Sequence, residues 1–235
     1  MGTVAPTFTS ALTVELLESM ASDGIPARRA RVSTNGGDNT DGMKTEGLIG
    51  YLMRDRHGAP FEHAVMTFSI HAPIFVMREL MRHRIASYSE ESGRYRELQP
   101  VFYMPDDGRK LVQTGKVGAY VFEAGTADQG SNTVAAIKYA NTKAYIEYAY
   151  MLREGIAREV ARMCLPVNIF STVHMTINAR SLMNLLSLRV IDPDSTYPSF
   201  PQWEIEQVAR QMEEAFSEKM PLTHTAFVAR GRVAP

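Results

Sequence analysis

Hydrophobic and polar positions change their period several times along the chain, and each change predicts an element. From His63 to His71 they alternate, with Ala64, Met66, Phe68 and Ile70 on one face, which predicts a strand. Ile169–Ile177 predicts a second strand. Residues 13–20 fit either period: Val14 and Leu16 suit a strand, while Leu12, Leu16, Leu17 and Met20 suit a helix. Helical spacing recurs in Glu46–Arg54, in Asn132–Glu154 with Gly155 as its stop, and in Ile156–Leu165 ahead of Pro166. It recurs again in Asn178–Leu188, opened by Asn178 as a cap, and in Pro201–Lys219, stopped near Pro221. Asp23 is placed to cap a short helix running to Arg31. Pro73 suits the first turn of a helix carrying Ile74, Met77, Leu80 and Met81, which runs into Arg82-His83-Arg84.

Between these segments the pattern lapses. Ser33–Gly42 is rich in Asn, Gly and Asp and predicts a flexible loop, and the polar stretch Ser87–Arg96 predicts another. Gly108–Gly130 holds five glycines and predicts a surface excursion. Residues 1–12 read as a flexible leader and 13–230 as one folded domain. The order lacks regular alternation of strand and helix. It predicts an α+β fold with helices packed around a small, largely antiparallel sheet.

Composition narrows the class of protein. Apolar residues make up 45% and charged residues 22%, a balance that supports a core without disulfides. A net charge of −1 argues against a protein that coats nucleic acid. No stretch approaches the ~18 apolar residues of a membrane span, and no secretory signal pattern opens the chain. The one cysteine, Cys164, excludes an internal disulfide and a cysteine-based zinc site, and fits a reducing, cytoplasmic setting. Its apolar neighbours predict core filler.

Four clusters carry candidate chemistry. Arg82-His83-Arg84 is followed by Ser89, Glu90, Glu91, Ser92, Gly93 and Arg94, with Arg78 one helical turn ahead of Arg82. Arginine forks read phosphate through paired hydrogen bonds, and a serine hydroxyl and a glycine N–H add donors. The same residues also describe a solvated helix end followed by a turn. Arg158 and Arg162 form either a second anion contact or a solvated stripe beside Arg153, Glu154 and Glu159. Asn178, Arg180, Asn184 and Arg189 make the third cluster. Within it Asn184 sits in an apolar stripe, where its amide must meet backbone or a ligand. His57, Glu62 and His63 invite a metal, but their spacing matches no helical zinc site and no metal is expected.

Arg82-His83-Arg84 followed after seven residues by Ser92 resembles the signature of the flavin-dependent thymidylate synthases. Pro60–His63, Arg158–Arg162 with Leu165-Pro166, and Asn178–Asn184 ending at Arg189 resemble further family segments in the same order, from about Arg31 to Trp203. The resemblance implies methylation of dUMP to dTMP, with methylenetetrahydrofolate as carbon donor and FAD carrying hydride from NADPH or NADH. It implies dUMP contacts at Glu79, Arg82, Glu90, Glu91, Ser92, Gly93 and Arg94, with Arg162 reaching the nucleotide from another subunit. Arg189 is implied to be catalytic, beside the uracil ring and polarising it.

FAD contacts are implied at Ser33, Glu62, His83, Arg84, Ile85, Asn178, Arg180 and Asn184. His57 falls by the exposed flavin face where folate stacks. A homotetramer with active sites at subunit junctions is implied as well. Glu79 stands where many members have Gln, and Ala59 replaces a Thr that can touch the flavin. Cys164 lacks the context of a nucleophilic thiol, and no base is placed to activate Ser92, so the protein's work is positioning and electrostatics around a cofactor. A nucleotide-phosphate-binding module without turnover is the competing reading. An RNA-binding protein is disfavoured by the charge balance and the lack of a stacking platform.

Overall fold

The computed structural model describes residues 5–35, 42–117 and 119–235. In chain order the first elements are β1 (Thr7–Thr9), β2 (Thr13–Met20), α1 (Gly24–Asn35), α2 (Gly42–Arg54), a 3-10 turn (Ala59–His63), β3 (Val65–Pro73), α3 (Ile74–Leu80) and β4 (Ala86–Glu90). The later elements are β5 (Val101–Tyr103), β6 (Val112–Lys116), β7 (Ala119–Glu123), α4 (Ala127–Arg153), α5 (Arg158–Ala161), β8 (Phe170–Asn178), α6 (Ala179–Arg189), α7 (Trp203–Lys219) and α8 (Pro221–Ala229). The α+β class holds, and among the described residues the strands form three sheets in place of one: β2-β3-β8-β4, β1-β5 and β6-β7. The β6-β7 pair is an antiparallel hairpin, whereas β1 and β5 pair in parallel.

The chain divides into two interleaved compact units. One comprises residues 1–12, 71–78 and 90–173, and the other 13–70, 79–89 and 174–235. The second unit holds most of the four-stranded sheet. The alternation in β3 sends Met66, Phe68 and Ile70 to full burial, and the stripe of α6 buries Leu182, Leu185 and Leu186. On α7, Ile205, Val208, Met212 and Phe216 share one face and are inaccessible to solvent, and this helix packs on α6, α8 and β2. Each such side chain contributes on the order of 1.5–3 kcal/mol by leaving water.

Asp23 caps α8 rather than α1. Its carboxylate accepts from the Leu222 and Thr223 amides at 2.9 Å and from the Thr223 hydroxyl at 2.7 Å. These are the orphan donors of a helix start, supplied with an acceptor from 200 residues away.

In the first unit Leu98, Phe102 and Ile169 form a core with Phe8, Ile74, Tyr145 and Leu165 against it. The buried Tyr148 hydroxyl accepts from the Leu98 amide at 3.1 Å, and the Tyr145 hydroxyl donates to the Leu98 carbonyl at 3.2 Å. Helix α4 thereby fixes the segment leading into β5.

Several sequence expectations change. Residues 13–20 are a strand, and Thr7–Thr9, within the expected leader, form a strand paired with β5. Helix α1 runs through Ser33 to Asn35, so the expected loop of 33–42 begins later, and residues 36–41 lie outside the described residues. The polar stretch 87–96 supplies β4, because strand pairing, not side-chain hydrophobicity, orders it. The excursion at 108–130 contains the β6-β7 hairpin and the start of α4, whose Thr126 and Gln129 make a capping box. Gly155, with φ of 79°, does stop α4 in a conformation that glycine favours. Cys164 is exposed rather than core filler, its Sγ donating to Ala161 and Ala144 carbonyls.

Candidate active site

The polar loop that leaves β4 turns tightly. The Glu91 amide donates to the Thr172 carbonyl at 2.9 Å, and the Tyr95 and Arg96 amides both return to the Ser92 carbonyl. Ser92 Oγ accepts from the Arg94 amide at 3.3 Å. A Cβ on Gly93 would stand 3.0 Å from Leu98 Cδ1 and 3.3 Å from Arg162 Cδ, so the missing side chain lets the loop lie against the Arg162 arm. Glu90, Glu91, Ser92, Gly93, Arg94 and Arg162 line one cavity of about 550 Å³, a size that suits a nucleotide-scale ligand. Arg162 thus lines this cavity beside the loop of its own chain.

Arg94 Nε donates to Glu159 Oε2 at 3.0 Å, and Arg96 pairs with Glu91 at 3.1 Å. The Arg94–Glu159 pair is half exposed and therefore weak. Little energy therefore holds Arg94 on Glu159 against a competing anion.

A second constellation gathers around Arg189, which ends α6. Its Nη1 donates to Glu79 Oε2 at 3.1 Å and its Nε to His83 Nε2 at 3.2 Å. That bond requires His83 Nε2 to be an acceptor, so the neutral ring carries its proton on Nδ1. Burial, reinforced by the adjacent guanidinium, pushes the His83 pKa down to about 4. Burial raises the Glu79 pKa, with Arg189 opposing and Glu204 on α7 adding to the rise.

The turn after α3 is held from β4. The Tyr88 hydroxyl donates to the carbonyls of Leu80, at 2.7 Å, and His83, at 2.9 Å, and its burial pushes the phenol up to about 12. Helix α3 ends at Leu80, so Arg82 stands in the following turn rather than on a helix face shared with Arg78. Arg82, Arg84 and Ile85 are exposed there, Ile85 by 73%.

The remaining residues cluster where α6 begins. Asn178 Oδ1 accepts from the Ser181 amide at 2.9 Å, the expected cap. Arg180 Nη1 meets Glu62 Oε1 at 2.6 Å, and Arg180 Nε donates to the Pro235 carbonyl at 2.7 Å. Asn184 is exposed, against the burial its apolar neighbours suggested, and its amide donates to the Arg180 carbonyl at 3.2 Å. It occupies the open side of a stripe whose other members face the core. Ser33 is also exposed, on a helix that packs against the Ala59–His63 turn. His57 is exposed beside the Tyr51 ring, 5.5 Å between centroids.

Tyr88, Glu204 and Pro235 join these clusters without any sequence signal: their roles arise from where the fold sets a hydroxyl, a charge and a carbonyl. Among the described residues no group of three or more His, Cys, Asp or Glu is placed to hold a metal ion.

One unit offers an arginine-lined cavity of nucleotide size, and the other a guanidinium held by Glu79 and His83; each suits the anionic ligand of an enzyme. The model of the thymidylate synthase complementing protein family, Thy1, matches residues 15–222. The chain belongs to this family, that of the flavin-dependent thymidylate synthases. It is 55% identical over 234 residues to the flavin-dependent thymidylate synthase of Tropheryma whipplei (strain TW08/27), covering 98% of each chain. It is 54% identical to that of Streptomyces coelicolor, over 96% of this chain and 94% of the relative. Among solved structures it matches a UMP/dUMP methylase, PolB from Streptomyces cacaoi bound with 5-Br UMP, with TM-score 0.93 and 51% identity, covering 99% of this chain and all of that one.

Proposed function

We propose that the chain methylates dUMP to dTMP, taking its carbon from methylenetetrahydrofolate and its hydride from NADPH or NADH by way of FAD. The observation that carries this reading is the Arg189 clamp. Glu79 holds Nη1 and His83 holds Nε, which fixes the guanidinium plane and leaves Nη2 to meet a uracil carbonyl. A fixed cation there draws electron density from the ring wherever charge develops during reaction, and needs no reorganisation to do so. Ser92, Gly93 and Arg94 hold the phosphate, with Glu90 and Glu91 at the rim, Arg82 adding a further cation and Arg162 reaching the nucleotide from another subunit. The substrate then binds as a dianion.

The residues near the start of α6 fit a flavin dinucleotide. Arg180 and Arg84 suit a diphosphate, and Glu62, Asn178, Asn184 and Ser33 offer acceptors and donors for hydroxyls and ring edges, with His83 and Ile85 on the neighbouring turn. FAD in this site would supply reversible hydride transfer. His57, exposed and flanked by Tyr51, offers a face on which folate can stack. We place the active sites of a homotetramer at its subunit junctions. Supporting this, Tyr139, Ile146 and Tyr150 expose 72, 45 and 49% of their surface along one face of α4.

The test is dTMP formation by the purified protein given FAD, dUMP, methylenetetrahydrofolate and NADPH, with FAD or NADPH omitted in parallel and UMP tried beside dUMP. Product that depends on both is expected. A folded protein that binds dUMP but forms no product is instead the nucleotide-binding module without turnover.

A further inference from the structure

The residues after α8 take an unusual path. Gly231 and Arg232 both adopt left-handed backbone, with φ of 63° and 58°. At Gly231 a Cβ would fall 2.0 Å from Thr196 Oγ1, so glycine is required there. Arg232 tolerates this conformation because its side chain is anchored. It is 96% buried, with Nη1 and Nη2 donating to the two Glu213 oxygens at 2.7 and 2.8 Å. Glu213 also accepts from His224, and despite burial these partners bring its pKa down to about 2. A buried, forked ion pair on a left-handed arginine is an anchor that fixes the direction of the residues beyond it.

Those last residues run onto the start of α6. Ala234 is 5% exposed, and its carbonyl accepts from Arg56 Nη2 at 3.4 Å. The Pro235 carbonyl accepts from Arg180 Nε at 2.7 Å. Gly58 completes the arrangement. A Cβ there would lie 2.3 Å from Arg180 Nε and 2.7 Å from the Pro235 oxygen, so the guanidinium and the tail share space that only glycine leaves open.

We propose that the segment Gly231–Pro235 is a positioning element of the cofactor site, its last carbonyl setting the guanidinium that meets the flavin dinucleotide. The proposal rests on the flavin reading above. Arginine offers three donor nitrogens. With Nε taken by Pro235 and Nη1 by Glu62, the plane of Arg180 is set before any ligand arrives. An arginine held by Glu62 alone, through a half-exposed pair, rotates freely about its long side chain and binds a diphosphate with a larger loss of freedom.

The experiment measures FAD and dUMP affinities separately, by flavin fluorescence quenching and calorimetry, for the full chain and for one stopped after Arg232. The truncated chain should bind FAD about tenfold more weakly, the scale of one hydrogen bond to a charged group, while its dUMP affinity stays within about twofold. Equal loss of both ligands would make the tail merely structural and overturn the proposal, as would unchanged FAD affinity. Should the truncated chain fail to fold, Gly58→Ala applies the same test by crowding Arg180 and the Pro235 oxygen apart. A folded Gly58→Ala protein with full FAD affinity overturns it too. Absence of FAD binding in the full chain would instead remove the flavin reading on which the proposal stands.

Discussion

The bond between Arg189 and His83 makes a prediction about acid stability. Because Arg189 Nε donates to His83 Nε2, protonating that ring breaks the bond and sets two cations side by side. Burial first, and the neighbouring guanidinium second, resist the proton in the folded protein, and the pKa falls from 6.5 to about 4. The folded value lies below the unfolded one, so between those limits the unfolded chain binds more protons and stability falls as pH falls. The contribution is complete above pH 6.5 and lost progressively down to about 4. At ~1.4 kcal/mol for each tenfold in proton affinity, this amounts to about 3 kcal/mol.

His83→Gln keeps an amide oxygen able to accept from Arg189 but removes the titration. Urea midpoints of both proteins, measured from pH 7.5 to 4.5 at one protomer concentration, isolate the effect, because every other titrating group is common to the two. The wild-type curve should fall more steeply than that of the variant, by most of that 3 kcal/mol. Parallel curves would refute the assignment of His83 as a neutral acceptor.

Arg189→Ala should lower turnover by two orders of magnitude or more, the scale of a lost electrostatic stabiliser, while the far-ultraviolet spectrum and flavin content stay unchanged; near-normal turnover removes its catalytic role. Arg94→Ala should weaken dUMP binding by about 1.5–3 kcal/mol, the range for hydrogen bonds to charged groups, and leave FAD affinity intact, which calorimetry with each ligand would check. Glu159→Ala should change stability by less than about 1 kcal/mol, since its pair with Arg94 is half exposed, and a larger loss in urea would contradict that reading. Asp23→Ala should cost about 1–2 kcal/mol by uncapping α8, seen as faster amide exchange at Leu222 and Thr223.

How far the sequence could be read depended on whether local pattern or distant pairing fixes a segment. Strand β3 and helices α6 and α7 face a core on one side, so the apolar period marks them. β4 is Ala-Ser-Tyr-Ser-Glu and carries no such mark. β1 and β5, three residues each, exist only through each other. Helix α8 begins Pro-Leu-Thr-His-Thr, with its cap supplied by Asp23. In the candidate site the Arg-His-Arg triplet and the serine beyond it stood out in the sequence, because clustered arginines leave a compositional trace. The partners did not. That Glu79 and His83 face Arg189, that Tyr88 holds the turn, and that Arg162 stands with Gly93 all depend on side chains more than 60 residues apart or on the path of a backbone carbonyl.

The interleaving of the two units also sets a timetable for biosynthesis. Residues 13–70 emerge from the ribosome early, but the rest of their unit (79–89 and 174–235) is delivered in two later instalments, the last after the whole of the other unit. Until then β3 lacks its neighbour β8, and Asp23 has no helix start to cap. The sheet is thus incomplete through most of translation, and non-local pairs of this kind generally close more slowly than local ones. The order of synthesis thus leaves this sheet without β8 until residues 170–178 have been made.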